Sequence, residues 1–173
     1  VTHLFHVPAV LRRTMVELEQ HTAIKRLRPH GEASAAYMAD GYARASRRPG
    51  ICAAKVVGAH NLAAGLSDAF LAQSPGIALT GGRDPHTKFR KVYQEVDDVP
   101  AFETVTKMNA TVDSVERIPD MLRQAFRVAT TGTPGPVHLQ FAGNEGQLDV
   151  GEADMDLSCE TRYASVPPFR PIG

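Results

Sequence analysis

Short apolar runs alternate with helix-periodic segments along most of this chain, and few folds accommodate that alternation. Residues 1–7, 23–27, 51–57, 77–80, 107–112 and 136–141 read as strands. Between them, apolar residues recur at helical spacing. Leu11, Met15 and Leu18 form one such stripe. A helix opening at Glu32 carries Ala35, Met38, Ala39, Tyr42 and Ala43. Residues 61–72 present Leu62, Leu66, Ala69 and Phe70, and residues 118–130 present Leu122, Ala125, Phe126 and Ala129. Residues 100–106 suggest one more helix. Strands that alternate with helices of this length must be joined by right-handed crossovers, which make a parallel sheet covered on both faces. The expectation is an α/β fold, a single three-layer domain with about six parallel strands.

The 173 residues suffice for one domain with a substantial core. Basic and acidic residues balance at 19 each, which argues against a general binder of nucleic acid or anionic membrane. Local basic clusters at 25–28, 44–48 and 88–91 read as solvated faces. Cys52 sits in an apolar run and Cys159 in a polar tail, so a disulfide is not expected. No apolar stretch approaches the roughly 18 residues of a membrane span. No secretory leader stands at Val1, and the expected setting is cytoplasmic. The histidines lack metal-ligand spacing, so no metal site is expected in this chain. No phosphate-loop or dinucleotide fingerprint is present.

Two segments stand apart. Residues 84–98 form a polar loop of a length that compact domains usually reserve for function. Beyond Phe141 the text turns to Gly143, Asn144, Glu145 and Gly146, then to acidic residues and Pro167-Pro168-Phe169-Arg170-Pro171. Residues 1–142 are therefore expected to be the domain, and 143–173 a strap or linker toward a further one.

Glu32 stands where residues 23–27 give way to a helix. In open parallel sheets a strand-to-helix junction faces the crevice beyond the strand ends, where ligands bind. A bland alternative is a helix N-terminal charge serving the dipole.

The segments around this residue resemble the N-terminal, pyrimidine-binding domain of thiamine-diphosphate enzymes of the acetolactate synthase type. Glu32 is followed at ten residues by Tyr42, within Ala39-Asp40-Gly41-Tyr42-Ala43-Arg44-Ala45. Gly58-Ala59-His60-Asn61-Leu62, Gly65-Leu66-Ser67-Asp68-Ala69, Ser74-Pro75 and Leu79-Thr80-Gly81 continue the pattern. Tyr93-Gln94-Glu95-Val96-Asp97 and Thr131-Gly132-Thr133-Pro134-Gly135-Pro136-Val137 complete it. The likeness runs from about residue 1 to 141.

The resemblance implies a cofactor, thiamine diphosphate, and a reaction class, decarboxylation or carboligation of 2-oxo acids. It gives Glu32 the hydrogen bond to N1′ of the aminopyrimidine ring, which promotes proton removal at thiazolium C2. It places Gln94 at the active site, on a loop reaching a partner subunit's cofactor, and Pro8, Gly58, His60 and Asn61 along the cofactor. Lys55 and Gln94 are the substrate candidates. Asn61 alternatively caps its helix, and His30 reads as packed or exposed. The diphosphate and its Mg2+ are held in this family by a separate domain with a Gly-Asp-Gly…Asn motif, which this sequence lacks. Such a domain, in a longer chain or another subunit, and a homodimer are the implied partners. The isolated chain is accordingly expected to be inactive. FAD, used by some relatives, has no support in these residues.

Two places depart from the family pattern. His6-Val7-Pro8-Ala9-Val10 stands where an aromatic-Pro-Gly-Gly loop is usual, and Lys55-Val56-Val57-Gly58 where Ser-Gly-Pro-Gly is usual. Valine takes positive φ only at a cost and fills room that glycine leaves open. Two other readings follow: a degenerate, non-catalytic domain kept for dimerisation or regulation, and an anion-binding domain using Lys55, Arg83 and Arg90.

Overall fold

The computed structural model describes residues 1–8 and 10–143. The proposed strap beyond Gly143, with Cys159, lies outside the described residues. Six strands, all parallel, form one sheet in the order β2-β1-β3-β4-β6-β5. They are β1 (His3–His6), β2 (Lys25–Leu27), β3 (Gly50–Lys55), β4 (Gly76–Gly81), β5 (Met108–Val112) and β6 (Pro136–Phe141). The helices are α1 (Arg12–His21), α2 (Glu32–Ser46), α3 (Ala59–Leu71), α4 (Val99–Phe102) and α5 (Ile118–Thr130).

The pleat sorts side chains between two cores. From β3, β4 and β6, Ala53, Ile77, Val137 and Leu139 meet Met15 of α1 and Met121, Ala125 and Ala129 of α5. Their alternates Cys52, Ala54 and Ala78 meet Ala35, Ala36 and Ala39 of α2, Leu62 and Leu66 of α3, and Phe102 of α4. Where α2 meets α3 the second core is lined by alanine and glycine, so these two helices approach closely. A Cβ on Gly65 of α3 would stand 2.6 Å from the Ala33 carbonyl oxygen, and one on Gly50 would stand 2.0 Å from that of Ala39. Burial pushes the Cys52 thiol up to about 12, which leaves it an inert core group.

Several expectations need adjusting. The α2 stripe includes Ala36, fully buried, and excludes Met38, which is 40% exposed. Phe70 likewise leaves the α3 stripe, at 38% exposed. Close packing of α2 on α3 explains both: the seam admits alanine and glycine and turns larger side chains to the rim. β2 is shorter than the apolar run suggested, because Lys25 and Arg26 make it a charged edge strand. The helix expected at 100–106 is the single turn α4.

Strand order reverses between β1 and β3. The chain runs outward from β1 to β2, then returns past β1 to β3 and onward, which opens a crevice beyond the carboxyl ends of those strands.

Candidate functional site

Glu32 is the first residue of α2, and Gly31 before it is extended (φ −155°, ψ 159°) with no side-chain cap. Its carboxylate turns inward onto the segment after β3. Oε1 comes so close to Gly58 that a Cβ there would sit 2.3 Å from it, and Oε2 accepts a long hydrogen bond of 3.5 Å from Asn61 Nδ2. The side chain is half-buried. Gly58 is needed for room, since its φ of −93° is open to other residues.

Asn61 is the third residue of α3, and its amide goes to Glu32 across the α2–α3 seam. The capping alternative is thereby corrected: Gly58 occupies the cap position, with no side-chain cap bond. His60 is exposed beside it, and His30 and Pro8 are exposed as well. Pro8 follows β1, and Leu11, at the N-cap of α1, takes a left-handed φ of 42°.

The valines after β3 avoid the strain expected of them. Val56–Gly58 form one 3₁₀ turn, and neither Val56 nor Val57 has positive φ. Val56 is buried, and Val57 is 47% exposed.

That turn separates the Glu32–Asn61 cluster from a cleft of about 230 Å³. Lys55, Val56, Arg83, Tyr93, Gln94 and Glu95 are among its walls. Lys55 and Gln94, the two substrate candidates, thus share one cavity. Arg83 lines it too, paired with Asp97 at 3.5 Å, whereas Arg90 is exposed and not part of the wall.

Loop 84–98 is ordered by its own carboxylates. Asp84 accepts from the backbone N–H of His86 at 2.9 Å. Glu95 accepts from the N–H groups of Phe89 and Val92. Phe89, Lys91 and Gln94 all have positive φ, at 70°, 52° and 63°. Non-glycine residues in that region store backbone strain, which concentrates at functional segments. The loop ends at Asp98, fully buried, and the sequence reading missed this residue. Asp98 belongs to a chain of buried polar groups reaching Thr80, Gln140, His138 and Asn109. In sequence, His138 and Gln140 merely alternate with apolar residues, as in a half-exposed strand, whereas all six residues of β6 are buried.

Among the described residues no group of histidine, cysteine, aspartate or glutamate could hold a metal ion. Nor does any helix among them have the length and apolarity to cross a membrane.

Residues 1–101 match the model of the thiamine pyrophosphate enzyme, N-terminal TPP binding domain. A probable acetolactate synthase large subunit of Methanocaldococcus jannaschii is 40% identical over 141 residues, covering 81% of this chain and 23% of that protein. The chloroplastic acetolactate synthase of Arabidopsis thaliana is 40% identical over 121 residues, covering 69% of this chain and 18% of that protein. The chain thus spans less than a quarter of either relative. A solved structure of a putative thiamin diphosphate-dependent enzyme from Mycobacterium smegmatis superposes with a TM-score of 0.74 at 23% identity, covering 90% of this chain and 30% of that one. With the fold, the Glu32 junction and the family match together, this chain belongs to the thiamine pyrophosphate enzymes as an acetolactate synthase-like N-terminal, pyrimidine-binding domain.

Proposed function

We propose that this chain is the pyrimidine-binding half of a thiamine-diphosphate-dependent decarboxylase or carboligase acting on 2-oxo acids. The observation that carries the reading is the Glu32 carboxylate, turned into the crevice at the sheet's reversal and seated against Gly58 and Asn61. The residues present fit an aminopyrimidine ring. A carboxyl oxygen faces a glycine that leaves it room, with an amide beside it and a cleft one turn away. When bound, thiamine diphosphate supplies the electron sink that lets a 2-oxo acid lose carbon dioxide.

This chain's own residues hold and move a proton. Glu32 exchanges one at its carboxylate with a ring nitrogen, for which a carboxyl is the suitable group. Asn61 orients Glu32 by donating to Oε2. Gly58 keeps the approach to Oε1 open, and Pro8 and His60 border the same end of the sheet. Lys55 offers a positive charge to the carboxylate of a 2-oxo acid, and Gln94 offers an amide. Because the diphosphate and Mg2+ need other ligands, activity requires a second domain, in a longer chain or another subunit. The isolated chain is then inactive. A homodimer and a cytoplasmic setting belong to the same proposal, as does residue 142 as the domain's end. FAD remains outside it.

The test is Glu32→Gln in the holoenzyme with its diphosphate-binding domain. Turnover is expected to vanish while the melting temperature stays within a degree or two of the parent, because the substitution conserves shape. Full turnover in the variant would remove Glu32 from the chemistry. One observation favours the non-catalytic reading: Lys55 and Val56 line the cleft where the family uses serine and glycine. Calorimetry separates the two readings, since a degenerate domain would take up no thiamine diphosphate even with the second domain present.

A further inference from the structure

The buried polar chain beneath loop 84–98 has one contact too many for its evident protons. Asn109 Nδ2 donates to the Val99 carbonyl at 2.6 Å, and a carbonyl can only accept. That fixes the amide, so Asn109 Oδ1 faces His138 Nδ1 at 2.7 Å and must accept from it. In a neutral ring Nε2 then carries no proton. Thr80 Oγ1 lies 2.8 Å from Nε2 and 2.9 Å from Asp98 Oδ2. Its single hydrogen can satisfy only one of these contacts. With an ionised Asp98 and a neutral His138, the other would press two acceptors together. One more proton is therefore held in the chain. Gln140 Nε2 donates to the other carboxyl oxygen of Asp98, which leaves Oδ2 to face Thr80.

We propose that Asp98 is an un-ionised carboxylic acid at neutral pH, donating through Thr80 to His138, and that this neutral chain latches loop 84–98 to the sheet. The alternative position of the proton, on His138, would create two buried charges. Asp98 and His138 are both 0% exposed, and the ring of His138 stacks on Phe102 at 3.6 Å. Desolvation opposes such a separated pair. The same burial raises the acid and lowers the imidazole to about 3. The charged or titratable groups around Asp98 are His138 across the sheet and Asp97 on its own segment, whose negative charge also favours the neutral acid. The latch positions Gln94, four residues upstream, but its proton state stands whatever Gln94 does.

Linkage makes this measurable. In the unfolded chain Asp98 ionises above its ordinary value of 3.8, while in the fold it keeps its proton to higher pH. The stability it contributes is complete below 3.8 and is lost as pH rises toward its folded value. Asp98→Asn copies the neutral acid, with its NH2 toward Thr80 and its carbonyl toward Gln140, but cannot ionise when unfolded. Urea unfolding of the parent and D98N full chains is measured from pH 5 to 7. The unfolding constant of D98N relative to the parent is expected to fall about tenfold per pH unit. A ratio that does not change with pH, or that rises, overturns the proposal. Should D98N not fold, the carboxyl carbon resonance of Asp98 in the parent at pH 7 decides. A neutral-acid shift supports the latch, and a carboxylate shift refutes it. Tryptic cleavage at Lys88, Arg90 and Lys91 reports the positioning role. It is expected to increase in the parent relative to D98N as pH rises above the acid's folded value, and an unchanged ratio refutes the latch.

Discussion

Replacing Gly58 with alanine tests the site through a single methyl group. The backbone there (φ −93°, ψ −3°) suits alanine, so the substitution acts by volume alone. The new Cβ would lie 2.3 Å from Oε1 of Glu32, 2.6 Å from its Cδ and 2.7 Å from its Cγ. Ordinary contact begins at 3.4 Å, so the carboxylate must retreat by about 1 Å. The obstructing atoms are the end of a flexible side chain, and moving them costs about 0.5–1.5 kcal/mol in rotamer strain. The melting temperature should therefore fall only slightly. Activity should suffer far more, because a displacement of about 1 Å at a reacting group costs on the order of 100-fold. The assay is steady-state decarboxylation by the holoenzyme, paired with a thermal melt of each variant. Near-parental kcat/KM with an intact fold would refute the argument, since it would show that the position of Glu32 against Gly58 does not matter.

Three other substitutions probe the packing and the cleft. Gly65→Ala meets the Ala33 carbonyl oxygen at 2.6 Å and the Ala36 methyl at 2.8 Å, and should cost about 1–3 kcal/mol in chemical denaturation. Gly50→Ala meets the Ala39 carbonyl oxygen at 2.0 Å, where backbone must yield on both sides, and should cost more than Gly65→Ala; the reverse order would contradict the packing described. Lys55→Ala should raise KM for a 2-oxo acid roughly tenfold or more, the worth of a charge-assisted hydrogen bond, with a smaller effect on kcat. An unchanged KM would remove Lys55 from substrate binding.

The layered sheet and the place of Glu32 are legible in the order of the amino acids. Both depend on local signals: hydrophobic period, glycine and proline stops, and an acidic residue at a strand-to-helix junction. The resemblance to the family, rather than local pattern, singled out Gly58, Asn61, Lys55 and Gln94. Tertiary structure decided what those residues touch. The Asn61 amide leaves the cap and crosses to Glu32 because α2 and α3 meet along an alanine–glycine seam. Met38 and Phe70 have the right period for the core but are too large for that seam. The Asp98–Thr80–His138 chain joins residues up to 58 positions apart in sequence, so no local pattern announces it. Its protonation follows only from which donor faces which acceptor, and that arrangement exists only once β4, β5 and β6 lie side by side.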